Sequence, residues 1–314
     1  MEKNLDKSVT ARELIFGAAF VACLTPWVSP PAALLMGLII ALFVGHPYLH
    51  LNHKATHILL QLSVVGLGFG MNADSAFKAG KEGILFTVAS ITGTLLFGLL
   101  LGKLLRIEKK TSTLIACGTA ICGGSAIAAI SPVIKAEEKQ ISVALGTVFL
   151  LNSIALFLFP VIGHLLHLSQ TQFGLWAAIA IHDTSSVVGA AGKYGPRALE
   201  VATTVKLARA LWIIPVAVLA ALFFKTGRQK IRIPYFIGAF VLAMLSNTYL
   251  PMPAISHTLV QASKVGLTLT LFLIGSGLSR QVLRSTGVKP LLQGILLWGL
   301  ISGFALWAVV RLAV

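Results

Sequence analysis

The sequence predicts an all-α polytopic membrane protein of about ten to eleven transmembrane helices. Three observations carry that prediction. Of the 314 residues, 56% are hydrophobic and only 11% charged, with a mean hydropathy of +0.89. Soluble domains carry roughly 25% charged residues. The apolar runs are ~20 residues long, the length of a membrane-spanning helix rather than of an alternating barrel strand. Glycine, hydroxyl and charged residues then interrupt those runs at places where lipid alone would not ask for them.

Taken in order, the runs give candidate helices at 13–29, 31–45, 54–71, 82–104, 111–134, 139–166, 171–192, 197–224, 233–249, 255–279 and 289–313. Residues 1–12 read as a short cytoplasmic tail and 13–314 as one transmembrane domain. With the N-terminus inside, 15 of the 25 Lys and Arg fall on inner loops and 8 on the outer side, which favours N-inside, C-outside. The formal charge of +15 is thereby explained by loops, and nucleic acid is not an expected partner. Cys23, Cys117 and Cys122 all lie in apolar runs, so neither a disulfide framework nor a metal site is expected. His46, His50, His53 and His57 read as a solvated loop between helices 2 and 3.

Segments in the two halves resemble each other. "PAALLMGLIIALF" from Pro31 matches "PYFIGAFVLAML" from Pro234, and Gly68, Gly70 and Gly80 meet Gly275, Gly277 and Gly287 at a constant offset of 207. Helices 2–4 (31–106) therefore resemble helices 9–11 (233–314). Seven helices separate the copies, so they point in opposite directions, as in the inverted repeats of secondary transporters.

Three stretches carry candidate chemistry. In "GTAICGGSAIAAISPVIK" from Gly118, Gly118, Gly123 and Gly124 each cost about 1 kcal/mol of helix propensity, and Thr119, Cys122 and Ser125 bring polar groups to the span centre. A helix broken there offers a half-helix N-terminus to an anion; close helix packing is the competing reading. In "IHDTSSVVGAAGKYG", His182 and Asp183 precede Thr184, Ser185 and Ser186. A carboxylate at membrane depth costs about 2.5–3.5 kcal/mol on insertion scales, so Asp183 reads as a proton carrier, a partner orienting His182, or an N-cap of a half-helix. In "TTVKLARALW", Lys206 and Arg209 share one helix face well inside the bilayer. They require a carboxylate, a bound anion or both; snorkelling to the interface is the alternative.

"CGTAICGGSAIAAISPVIKAEEKQISVALGTVFLLNSIALFLFP", "IHDTSSVVGAAGKYG" and "VKLARALWIIP" resemble the YeiH-type bacterial inner-membrane family described as sulfate exporters. That family is similar to the cation:proton antiporter and bile-acid:sodium symporter superfamily. The resemblance implies two inverted repeats with discontinuous helices crossing at mid-membrane, and places Thr119, Gly123, Gly124 and Ser125 in the first crossing element. Helices 5 and 7 are two apart, so simple alternation orients them alike, which an inverted pair would not do.

Together these readings give a secondary carrier, by resemblance an exporter, of a small oxyanion such as sulfate or sulfite, with proton coupling. Lys206 and Arg209 neutralise the anion, the helix 5 break and the hydroxyls hold its oxygens, and His182 and Asp183 move the proton or orient the site. No Walker A sequence is present, no cofactor is expected, and a homodimer is admitted. The alternatives are a cation/proton antiporter centred on Asp183 and, remotely, a hydrolase with Ser125 as nucleophile beside His182 and Asp183.

Overall fold

The computed structural model describes residues 11–25, 27–224, 235–250, 253–277 and 287–312. Most of the tail, the ends of candidate helices 9 to 11, and the His50 and His53 side chains lie outside the described residues. All regular structure among the described residues is helical. The helices are α1 (Ala11–Ala22), α2 (Pro30–Phe43), α3 (Leu49–Gly68), α4 (Ala73–Leu104), α5 (Lys109–Ala120), α6 (Gly124–Val133), α7 (Glu138–Leu165), α8 (Gln170–Ala180), α9 (Thr184–Tyr194), α10 (Pro196–Ala210), α11 (Ile213–Phe223), α12 (Tyr235–Tyr249), α13 (Pro253–Gly277) and α14 (Val288–Leu312).

Local chemistry sets many starts. Pro30 and Pro196 occupy first helical positions, where a missing N–H costs nothing. Glu137 with Gln140, and Ser169 with Gln172, form capping boxes that open α7 and α8. Among the described residues five helices are long and apolar enough to cross a membrane: Thr87–Leu104, Lys139–Leu165, Pro196–Phe223, Pro253–Gly277 and Val288–Arg311.

The expected runs 5, 7 and 8 each divide into two helices. Runs 5 and 7 break at the positions the sequence marks, but the chain does not continue across. Drawn as one straight helix, Lys109 to Val133 would separate its ends by ~36 Å. Instead Lys110 Nζ donates to the Lys135 carbonyl at 2.7 Å, so the two ends lie side by side. Gly118 of α5 faces Ile127 of α6, where a Cβ on the glycine would lie 2.9 Å from Ile127 Cδ1. Helices α5 and α6 thus form a re-entrant hairpin, hairpin A. The second break behaves alike. Tyr194 Oη at the end of α9 donates to the Leu168 carbonyl before α8 at 2.6 Å, the Tyr194 and Phe173 rings stack at 3.8 Å, and Arg197 N donates to Gln170 Oε1 at 2.9 Å. Helices α8 and α9 form hairpin B.

Helix α7 fixes how the hairpins face. Its 28 residues measure ~42 Å. Its N-terminus adjoins the base of hairpin A and its C-terminus the base of hairpin B, where Gly163 packs on Phe173 and Tyr194. The hairpins therefore enter from opposite faces, and their tips meet half-way: a Cβ on Gly123 would lie 3.1 Å from the Cβ of Asp183. Helices predicted to cross at mid-membrane instead touch tip to tip, because each half-helix packs back on its own partner.

Glycines let other backbones close. Helices α2 and α13 meet at Gly37 and Gly275, where a Cβ on either would strike the other helix's carbonyl oxygen (Phe272 and Leu34, respectively); α3 and α12 meet at Gly68, where a Cβ would lie 2.7 Å from the Phe240 oxygen.

Two results are expected. Cysteines placed at Lys110 and Lys135 label with an impermeant maleimide from one face, and cysteines at Gln170 and Arg197 from the other; labelling of positions 110 and 135 from opposite faces would refute hairpin A. Gly123, at φ +63° and ψ −125°, sits where a side chain is strained, so Gly123→Ala lowers stability by about 1–3 kcal/mol, read as a reduced melting temperature in detergent.

Candidate functional site

At mid-depth four half-helix ends converge, and each exposes backbone groups that lipid cannot satisfy. The C-terminus of α5 is closed locally by Ile121 N on Cys117 O and Gly123 N on Gly118 O. Its Ala120 carbonyl accepts a short hydrogen bond from Arg209, whose other terminal nitrogen donates to Ser90 Oγ of α4 at 2.6 Å. The C-terminus of α8 is closed by Lys206, with Nζ 2.7 Å from the Ile181 carbonyl and 3.4 Å from that of Ala178. Trp298 Nε1 donates to the Ala180 carbonyl at 3.1 Å. Both cations are fully buried. Each sits at the negative end of a helix dipole, which offsets part of the cost of desolvating it.

The N-termini differ. Helix α9 is capped by Asp183, whose Oδ1 accepts from Ser186 N at 2.7 Å and Ser185 Oγ at 2.6 Å, while Oδ2 accepts from Ser186 Oγ at 2.7 Å. Helix α6 begins at Gly124 with no side-chain cap. Its first turn faces a cavity of about 240 Å³ on the hairpin A side, lined by Cys122, Gly124 and Ser125 of one tip, Asp183, Thr184 and Ser185 of the other, and His57 of α3. A surface of amide N–H groups and hydroxyls at a helix N-terminus is suited to hydrogen-bonding the oxygens of a small anion.

Behind that cavity lies a sealed layer. Thr119 and His182 are fully buried, and Thr119 Oγ1, both ring nitrogens of His182 and Asn152 Nδ2 have no hydrogen-bond partner in the protein. Asn152, on α7, accepts from the His182 backbone N–H at 2.9 Å and so ties the tip of hairpin B to α7. In formal charge, Lys206 and Arg209 outnumber Asp183 by one. Among the described residues the one ion pair within 4.0 Å is Arg197–Glu200, so Asp183 pairs directly with neither cation.

The structure thus brings Cys122, Gly124, Ser125, Asp183, Thr184 and Ser185 together on one cavity wall. Gly123 and Ser186 support that wall from behind. Two sequence readings change. Lys206 and Arg209 line neither the hairpin A cavity nor the larger one on the hairpin B side; they bind carbonyls, so in this arrangement they would act on a ligand in the hairpin A cavity through charge and not contact. Asp183 does not orient His182: its hydrogen bonds go to the first turn of α9, and neither ring nitrogen of His182 has a hydrogen-bond partner in the protein. The histidine cluster is not a uniform solvated loop: the His46 ring packs on Phe16 at 4.7 Å, tilted by 46°, and His57 lines the cavity. Ser90 and Asn152 were not singled out by sequence, and His57 was read only as part of a solvated loop. Ser90 and Asn152 are ordinary polar residues within apolar runs, and only their partners across the bundle give them meaning. Among the described residues no group of three His, Cys, Asp or Glu side chains is placed to hold a metal.

Helices long enough to cross a membrane, with two re-entrant hairpins meeting between them, define a multi-pass α-helical membrane protein. The chain belongs to the family described as Conserved hypothetical protein 698, whose model matches residues 14–294. It is 58% identical over 279 residues to a UPF0324 membrane protein of Bacteroides thetaiotaomicron, covering 88% of this chain and 84% of that one. It is 54% identical over 283 residues to one from Porphyromonas gingivalis (88% and 86%), and 49% identical over 314 residues to one from Bdellovibrio bacteriovorus (98% and 96%). No solved structure matches.

Replacing Arg209 by Gln removes a charged donor from Ala120 and Ser90. The loss expected is about 2–3 kcal/mol of stability, seen as a lower melting temperature. Arg209→Lys, which keeps the charge but cannot bridge both acceptors, should fall between Gln and wild type.

Proposed function

We propose that the protein is a secondary carrier of a small oxyanion, such as sulfate or sulfite, in the bacterial inner membrane. The observation that carries this is the uncapped N-terminus of α6 facing a hydroxyl-lined cavity, in a layer whose formal charges leave one positive charge over. An anion there gains hydrogen bonds and offsets that charge.

The carrier architecture is an inverted repeat in which α2, α3, α4, hairpin A and α7 correspond to α12, α13, α14, hairpin B and α10–α11, the second copy being circularly permuted along the chain. Its support is reciprocal packing: α2 lies on α13 as α12 lies on α3, and the two hairpins enter from opposite faces. The orientation conflict between runs 5 and 7 disappears once neither crosses. The same change moves Lys135 and Lys139 to the side of Lys109 and Lys110. With the N-terminus cytoplasmic, 17 of the 25 Lys and Arg are then inside, five outside, two in the sealed layer and one, Lys264, within the span of α13. Hairpin A thus enters from the cytoplasm and hairpin B from outside. Rocking of one repeat against the other would open the tips to each face in turn. Export is the direction the family resemblance suggests, with a proton gradient as the drive.

A cation/proton antiporter would use Asp183 as its ion ligand, but three donors already occupy that carboxylate. A hydrolase would need His182 to engage Ser125 or Asp183, and its ring nitrogens have no hydrogen-bond partner in the protein.

The test is uptake of labelled sulfate and sulfite by proteoliposomes, with and without a pH gradient. Anion flux that follows the gradient is expected. Ser125→Ala and Thr184→Ala each raise KM about tenfold by removing one charged hydrogen bond. Asp183→Asn, which still caps α9, keeps anion flux. Sodium- or potassium-driven proton movement without anion flux, lost in Asp183→Asn, would instead establish the antiporter.

A further inference from the structure

A second and larger cavity, about 840 Å³, opens on the hairpin B side between α9, α10, α13, the ends of α3 and the start of α2. Its charged lining is Lys193 of α9, Arg197 and Glu200 of α10, and Lys264 of α13. Arg197 and Glu200 pair at 2.7 Å and cancel, which leaves Lys193 and Lys264 with no carboxylate within 4.0 Å among the described residues. Lys264 is the unusual one. It lies eleven residues from the start of α13 and thirteen from its end, ~16 Å and ~20 Å along a helix long enough to span. A lysine at that depth is exposed and faces the cavity, not the apolar interior. Ionisable groups so placed mark water-filled paths for charged ligands. Gln261 and Thr268 add polar groups along the same wall.

The cavity on the other side gives the comparison. At the offset of 207, Lys264 corresponds to His57 and Leu267 to Leu60, and both of those line the hairpin A cavity. The two cavities are thus built on equivalent faces of α3 and α13 but carry different charge. The hairpin B cavity has a formal surplus of two positive charges, whereas the hairpin A cavity has Asp183 and a histidine.

We infer that the hairpin B cavity is an anion-capture site, in which Lys264 and Lys193 hold an oxyanion by its terminal oxygens before it reaches the hairpin tips. The ligand chemistry is a small divalent oxyanion, or the same chemistry presented by the phosphate of an anionic lipid headgroup. A cavity of one sign with apolar walls concentrates counter-ions by tenfold or more and loses that effect as salt rises. The inference rests on the carrier reading for its place in transport, and it implies a lower KM for the anion on the hairpin B face than on the hairpin A face. The direction of net flux still follows the gradients.

The test reads the local potential directly and needs no transport. In a Cys23→Ala background, Gln261→Cys is reacted in proteoliposomes with an anionic and a cationic methanethiosulfonate of similar size. The anionic reagent is expected to gain about tenfold over the cationic one relative to free mercaptoethanol. Lys264→Gln with Lys193→Gln should abolish that gain, and millimolar sulfate should slow labelling in phosphatidylcholine vesicles. Slow labelling without sulfate that appears only with phosphatidylglycerol would assign the site to a lipid headgroup. Thr25→Cys serves as reporter should Gln261→Cys fail to fold. Equal rates for the two reagents, unchanged by the lysine substitutions, would overturn the inference. Labelling preference with no sulfate flux would leave the capture site standing and refute the carrier reading; flux with no preference would do the reverse.

Discussion

Everything at the centre of this protein follows from one constraint: a backbone group in a membrane has no water to bond with. Two hairpins that enter half-way and turn back leave four helix ends at mid-depth, each with orphan carbonyls or amides. Such an arrangement is stable only if the rest of the bundle supplies partners. Helix α10 supplies two of them from one face, Lys206 to the end of α8 and Arg209 to the end of α5, three residues apart and so less than one turn. The remaining helices take their places around that core. Helix α7 sets the separation of the two hairpin bases, and α4 and α14 contribute Ser90 and Trp298 to the same layer.

The positions of the interruptions were legible because their causes are local. Gly123 is at backbone angles that favour glycine, and Asp183 followed by hydroxyl residues is a favoured helix start. Whether the chain carries on or reverses after the break is not a local matter. It depends on Ile127 packing against Gly118 and on Tyr194 stacking on Phe173, contacts that a propensity reading cannot see. The parity conflict between runs 5 and 7 was the visible trace of that missing information: two runs that look like spans could not both be spans in an inverted repeat.

Lys206 and Arg209 show the other limit. Their depth could be read from spacing along α10, and a need for negative partners followed from depth alone. A carboxylate or a ligand anion is the obvious partner to expect from sequence, because side chains are what a sequence displays. The partners found are backbone carbonyls, which every residue has and none advertises. Asn152 was overlooked for a related reason: one amide in an apolar run means little until its oxygen is seen to hold the tip of hairpin B.

Binding carbonyls does not remove the cations from the electrostatics of the cavity. A carbonyl at a helix end carries a partial charge, about half an elementary charge for the whole terminus, so each cation keeps a surplus. Two unit charges ~8 Å apart at an effective dielectric of ~20 still interact by about 2 kcal/mol. The structural role of Lys206 and Arg209 is therefore compatible with the ligand-directed role proposed for them. The same residues that fasten the first arms of the hairpins leave the first turn of α6 in a positive field, and Asp183, spent on capping α9, offsets only part of it. A tip that moved would carry its C-terminal carbonyls away from α10. Fixing the cations on those carbonyls would couple the charge felt by a ligand to the position of the hairpins, which is the linkage the proposed carrier needs between occupancy and conformation.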